Sequence, residues 1–128
     1  MKKVAVIGTG YWGQNLVRNY RNLGALKTVC DIDEGALQSV KFAYPQTHVT
    51  TNYAEVLKDP EIQGVVIATP AASHFSFASQ ALESGKDVYV EKPIALQMDH
   101  AQILVDLATK HNLILMVGHL LHYHPAYL

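Results

Sequence analysis

Directly after the apolar run Val4-Ala5-Val6-Ile7 the chain reads Gly8-Thr9-Gly10-Tyr11-Trp12-Gly13, and this junction restricts the fold more than any other feature. Three glycines at that spacing, between a strand and a helix, specify a tight turn that leaves backbone N–H groups bare at a helix N-terminus. Gly8 serves the turn, Gly10 lets a bound group approach the backbone, and Gly13 lets helix and strand touch. Unpaired N–H groups and the positive helix end together make a site for an anion, shaped here for a diphosphate.

Short β-rich apolar runs then alternate with longer helical patterns along the whole chain, the signature of βαβ units on a parallel sheet. Six strands are expected, near Lys3–Ile7, Leu26–Cys30, Thr47–Thr50, Gly64–Ala68, Asp87–Val90 and Ile114–Val117. Val4-Ala5-Val6-Ile7 and Val65-Val66-Ile67-Ala68 are apolar at every position, as strands covered on both faces are. Helices are expected over Tyr11–Leu23, Glu34–Ala43, Tyr53–Lys58, Ser73–Ser84 and Met98–His111. Gly24 and Gly85 stand where a left-handed C-cap is wanted, and Asp33 and Ser73 where an N-cap would accept a backbone hydrogen bond. Met98, Ala101, Leu104 or Val105, and Ala108 form an apolar stripe at helical spacing. The predicted fold class is α/β: a Rossmann-type, doubly wound, mainly parallel six-stranded sheet with helices on both faces. Its ligand crevice lies beyond the carboxyl ends of the strands.

At 128 residues the chain holds one dinucleotide-binding domain, residues 1–128, and is too short for two ordinary domains. Ten Lys and Arg against eleven Asp and Glu give a net charge of −1, so no broad field favours nucleic acid. Cys30 is the single cysteine, which excludes an internal disulfide or a multi-cysteine metal site and fits a reducing, cytoplasmic setting. The run after Met1-Lys2-Lys3 meets a glycine after four residues, too soon for a secretion signal. No apolar stretch approaches the ~18 residues of a membrane span. The end of the chain, His119-Leu120-Leu121-His122-Tyr123-His124-Pro125, reads as chain in transit rather than as a domain edge.

Asp31 ends the second strand 18 positions after Gly13, near the spacing of a carboxylate that binds the adenine ribose hydroxyls. A carboxylate there repels a 2′-phosphate, and no arginine follows within Ile32-Asp33-Glu34-Gly35, so NAD is favoured over NADP. Ile32 would flank the adenine. Ala68-Thr69-Pro70-Ala71-Ala72-Ser73-His74 follows the fourth strand on the same edge of the sheet. Pro70 stiffens that loop, Thr69 is placed to bond the diphosphate or ribose, and His74 either faces the site or packs. Glu91-Lys92-Pro93 follows the apolar run Val88 to Val90. The proline pushes Lys92 into an extended conformation, projecting its amine into the crevice. There burial and the positive nicotinamide ring would lower its pKa toward proton transfer near neutrality. The Lys92–Pro93 bond is a candidate for the cis form. His119, His122 and His124 crowd the end of the sixth strand, but their spacing matches no closed zinc pattern, so no metal is assigned and hydrogen bonding at the crevice mouth is preferred.

With these residues in place the chain resembles the amino-terminal domain of the glucose-fructose oxidoreductase, inositol dehydrogenase and rhizopine-catabolism family of oxidoreductases. Gly8 to Gly13, Cys30-Asp31-Ile32-Asp33, Ala68-Thr69-Pro70 with His74, and Glu91-Lys92-Pro93 stand in the family's order and spacing. The resemblance implies an NAD-dependent enzyme moving hydride between a nicotinamide and a secondary alcohol of a sugar or nucleotide-sugar. It also implies that Lys92 contacts the reacting hydroxyl, and that the cofactor is held by Gly8, Gly10, Tyr11, Trp12, Gly13, Asp31, Ile32, Thr69, Pro70, His74, Glu91 and Lys92. His119 and His122 would join Lys92 at the substrate. A partner catalytic histidine would come from a carboxyl-terminal α/β substrate domain outside this chain, and the full-length protein would be a homo-oligomer. The tail from Val117 to Pro125 looks most like members acting on UDP-N-acetylamino sugars at the 3-hydroxyl. His122 stands where many relatives carry arginine, and Ala71 where asparagine often follows the proline.

Two other readings stay open on the sequence: a carbonyl or imine reductase of the biliverdin reductase kind, and a non-catalytic nucleotide-sensing module. Lys92 argues against the second.

Overall fold

A computed structural model describes residues 2–91 and 94–118, apart from the side chains of Tyr11 and Trp12. Strands and helices alternate as β1 (Val4–Ile7), α1 (Tyr11–Asn22), β2 (Leu26–Cys30), α2 (Glu34–Ala43), β3 (His48–Thr50), α3 (Tyr53–Lys58), β4 (Gly64–Ile67), α4 (His74–Glu83), β5 (Asp87–Glu91), α5 (Met98–Lys110) and β6 (Leu115–Gly118). Every strand pair is parallel, in the order β3-β2-β1-β4-β5-β6. The expected doubly wound α/β sheet is therefore present. Its strand order reverses beside β1, so the crevice opens where β1 and β4 end.

Two apolar layers hold the sheet. On one face Ala5, Ile7, Val65, Ile67, Val88 and Val90 pack with Leu82 of α4, Leu104 and Ala108 of α5 and Val56 of α3. On the other, Val6, Val29 and Val66 pack with Leu16 and Val17 of α1 and Leu37 and Val40 of α2. All four residues of β4 are buried, which is why its sequence is apolar throughout rather than alternating.

Of the four residues expected to end helices, Gly24, Gly85 and Asp33 do so and Ser73 does not. Gly24 and Gly85 take positive φ, 74° and 83°, and the Asp33 carboxylate accepts from the Gly35 and Ala36 N–H groups at 2.9 and 3.3 Å. Ser73, in contrast, makes no cap. A 3₁₀ turn over Ala71–Ser73 runs directly into α4, and the Ser73 hydroxyl turns back to Thr69 and Pro70. The predicted stripe on α5 also needs correction. Leu104 and Ala108 are buried as expected, but Met98 is 90% and Val105 46% exposed, and Leu107 completes the buried side instead. β6 begins one residue later than predicted and pairs Gly118 with Glu91.

At the opposite end of the sheet, Lys86 is buried with its ammonium donating to the carbonyls of Asp59 and Ile62 at 2.6 and 2.7 Å. It ties the turn before β4 to the start of β5, away from the crevice.

Candidate functional site

The strand ends and the loops that leave them enclose a cleft of about 620 Å³, walled by the glycine turn, the Asp31-Ile32 corner and the Thr69–Ser73 loop. Gly8 carries φ 98°, and a Cβ there would lie 2.9 Å from the Ala68 carbonyl oxygen; only glycine fits this turn. A Cβ on Gly13 would overlap the Gly8 carbonyl, so Gly13 brings α1 under the turn rather than facing the cleft. Gly10 differs from both. A Cβ there would meet nothing among the described residues within 4 Å, so they do not demand glycine at that position, and the open space is where a bound group would come. Gly10 is also the N-cap of α1 and has no side chain to cap it, and the first turn holds no acidic residue. The fold leaves this helix end ready for an anion.

Asp31 sits opposite. Its Oδ2 accepts from the Thr9 N–H at 2.8 Å and the Thr9 hydroxyl at 2.5 Å, and its Oδ1 from the Asp33 N–H at 2.9 Å. Burial works against its ionisation, yet the bonds from the Thr9 hydroxyl and from the Asp33, Thr9 and Ile32 N–H groups outweigh it and hold the carboxyl below its ordinary pKa. The carboxylate is therefore charged at neutral pH while one edge stays at the cleft. Ile32 is 89% exposed beside it, an apolar side chain left in water at the cleft rim.

Thr69 and Pro70 line the cleft from the β4 side. His74 does not. It is buried, with Nε2 2.9 Å from the Thr69 carbonyl oxygen, so it holds the loop from behind. Glu91, half-buried at the end of β5, accepts from the Tyr89 hydroxyl at 2.9 Å, and the Tyr89 ring occupies the space a side chain on Gly118 would need. Lys92, Pro93, His119, His122 and the side chains of Tyr11 and Trp12 lie outside the described residues.

The sequence reading missed part of the lining. Tyr53 and Phe77, from α3 and α4, meet edge to face at 4.7 Å and 89°, and the Tyr53 hydroxyl donates to the Phe77 carbonyl at 2.7 Å. Together with Cys30 they give the cleft an apolar side. Nothing in their spacing connects them, because they meet only through packing. Thr9 was legible as part of the glycine motif but not as the partner of Asp31. Burial pushes the Cys30 thiol up to about 11, with the charges of Asp31 and Glu55 adding to it. A second groove of about 460 Å³ between α1 and α2, lined by Gln14, Arg18, Ser39 and Tyr44, lies beside the helices instead of at the crevice.

A family model described as an oxidoreductase family with an NAD-binding Rossmann fold, Gfo/Idh/MocA, matches residues 2–119. UDP-N-acetylglucosamine 3-dehydrogenase of Acidithiobacillus ferrooxidans is 30% identical over 124 residues, 97% of this chain and 39% of that protein. scyllo-Inositol 2-dehydrogenase (NAD(+)) of Bacillus subtilis is 30% identical over 131 residues, 98% of this chain and 37% of that protein. Among solved structures, GenD2 from gentamicin A biosynthesis in complex with NAD superposes with a TM-score of 0.85 at 32% identity, covering 92% of this chain and 35% of that one. The chain thus spans less than two-fifths of the length of these proteins.

Proposed function

The chain belongs to the Gfo/Idh/MocA family of oxidoreductases and supplies its NAD-binding Rossmann domain, and from that premise we propose that it is the cofactor half of an NAD-dependent dehydrogenase acting on a secondary alcohol of a sugar or nucleotide-sugar. The observation that carries this reading is the cleft itself: open space over Gly10 at an uncapped helix end, faced by an ionised Asp31. The residues present fit a dinucleotide. Gly8, Gly10 and the first turn of α1 receive the diphosphate, Asp31 the adenine ribose hydroxyls, and Ile32 the adenine. Thr69 and Pro70 bound the other side. NAD, when bound, supplies the hydride acceptor.

Lys92 follows β5 directly, and its amine contacts the reacting hydroxyl, orienting it and stabilising the oxygen as its proton departs. Glu91 sets the strand end from which Lys92 leaves. A carboxyl-terminal substrate domain brings the partner histidine, His119 and His122 contact substrate, and the full-length protein is a cytoplasmic homo-oligomer. Among the described residues no helix is long and apolar enough to cross a membrane. Leu96 and Met98, in the segment after β5, are exposed and support a second domain docking there, since large apolar side chains left in water favour cover.

UDP-N-acetylated hexosamines, oxidised at the 3-hydroxyl, are the substrate class we favour, supported by the relative from Acidithiobacillus ferrooxidans. Calorimetric titration of NAD into the chain tests the cofactor assignment. Following NADH formation by the full-length enzyme with UDP-N-acetylglucosamine and with inositol tests the substrate. Activity on inositol alone would move the assignment to the polyol dehydrogenases.

A further inference from the structure

The loop between β4 and α4 contains an ambiguity in its hydroxyl protons that bears on cofactor binding. Ser73 Oγ lies 2.7 Å from Thr69 Oγ1 and 2.8 Å from the Pro70 carbonyl oxygen. Each hydroxyl has a single proton and two lone pairs, so Ser73 donates to one of these two oxygens and two arrangements follow. In one, Ser73 donates to the Pro70 carbonyl and Thr69 donates to Ser73; the Thr69 proton is then spent inside the loop. In the other, Ser73 donates to Thr69, and the Thr69 proton is free to point elsewhere. In the second the Pro70 carbonyl keeps the Ser73 backbone N–H at 3.0 Å, but the Ser73 and Pro70 oxygens face each other at 2.8 Å without a proton, a cost that an acceptor bound at Thr69 offsets.

We propose that Ser73 is a positioning residue that donates its proton to Thr69, so that the Thr69 hydroxyl donates to an acceptor oxygen of the bound dinucleotide. The proposal rests on the reading that the cleft takes NAD. Both side chains line that cleft, and a diphosphate offers acceptors only, which selects the arrangement with a free Thr69 proton. The backbone beneath is fixed. A carbonyl only accepts, so the buried His74 presents a protonated Nε2 to the Thr69 carbonyl at 2.9 Å. With the carbonyl held, rotation of the hydroxyl is the freedom left to Thr69, and Ser73 sets it.

The experiment is calorimetric titration of NAD into the parent chain, Ser73→Ala, Ser73→Thr, Thr69→Val and the double variant Ser73→Ala/Thr69→Val, with thermal unfolding of each. Ser73→Ala is expected to weaken NAD about tenfold, the scale of one lost hydrogen bond, and Ser73→Thr to restore it. The double variant should bind no worse than Thr69→Val alone, because the two residues act through one bond. A purely structural role would instead lower the unfolding midpoint and give additive losses, and that result overturns the proposal. Unchanged or tighter binding by Ser73→Ala also overturns it, since it would mean that Thr69 had been donating to Ser73. These outcomes all require a parent that binds NAD. A parent that takes up none removes the reading of the cleft itself, and the relay with it.

Discussion

The N–H and hydroxyl of Thr9 both donate to the same oxygen of Asp31, at 2.8 and 2.5 Å. This pair joins the turn after β1 to the end of β2, residues 22 positions apart. The carboxylate expected to receive a ribose therefore also braces the glycine turn expected to receive the diphosphate. Binding at one end of the cleft is mechanically tied to the shape of the other.

Replacing Asp31 by alanine is expected to cost about 1–3 kcal/mol of stability through the orphaned donors of the buried Thr9, and to raise NADP affinity relative to NAD. Because the folded state depresses the Asp31 pKa, the stabilisation is complete above the ordinary carboxylate value near 4 and is lost as pH falls through the lower folded value. Unfolding of the parent and of Asp31→Asn at a series of acidic pH values checks this. A gap between them that persists to the lowest pH would contradict it.

Gly10→Ala and Gly13→Ala should separate binding from folding. The first adds a methyl in open space and is expected to leave the thermal midpoint nearly unchanged while abolishing measurable NAD binding. The second places a methyl on the Gly8 carbonyl and is expected to lower the midpoint sharply. Circular dichroism melts beside NAD titrations decide it, and equal effects in the two variants would refute the division.

Cys30 should react sluggishly with thiol reagents. With its pKa raised to about 11, about one molecule in a thousand carries the thiolate at pH 8, and the side chain is 4% exposed. Its reaction rate with a chromogenic disulfide is expected to rise by orders of magnitude in denaturant, and to fall further when NAD fills the cleft that Cys30 lines.

In the full-length enzyme Lys92→Ala is expected to reduce kcat at least a hundredfold, the scale of one group acting on proton transfer, while changing the Kd for NAD less than threefold, within about 0.7 kcal/mol. Steady-state kinetics with parallel cofactor titration measure both, and an unaltered kcat would remove Lys92 from the chemistry.

The order of strands and helices was readable from residue order because each element carries its own local signal. β4 is apolar at every position, Gly24 and Gly85 stop helices by adopting positive φ, and Asp33 caps α2 with its own carboxylate. The glycine motif was equally legible, since the steric need at Gly8 and the open space at Gly10 follow from residue type and spacing. Local signals misled where a neighbour competed. Ser73 has the chemistry of a cap, but its hydroxyl bonds to the carbonyl of Pro70 and the hydroxyl of Thr69 and makes no bond to a helix N–H. Met98 has the period of a core residue, but it is the first residue of α5 and stands 90% exposed.

The sequence by itself determined a doubly wound sheet, a diphosphate-shaped turn and the carboxylate at the end of β2, because hydrophobic period, glycine sterics and short-range capping act within a few residues. Only the tertiary structure decided that Asp31 grips Thr9, that Tyr53 and Phe77 close the cleft, and that His74 works from behind the loop. Those relationships join residues brought together by packing of separate βαβ units, and hydrogen-bond and van der Waals forces reach only a few ångströms, so they exist once the chain has folded and leave no mark in its linear spacing.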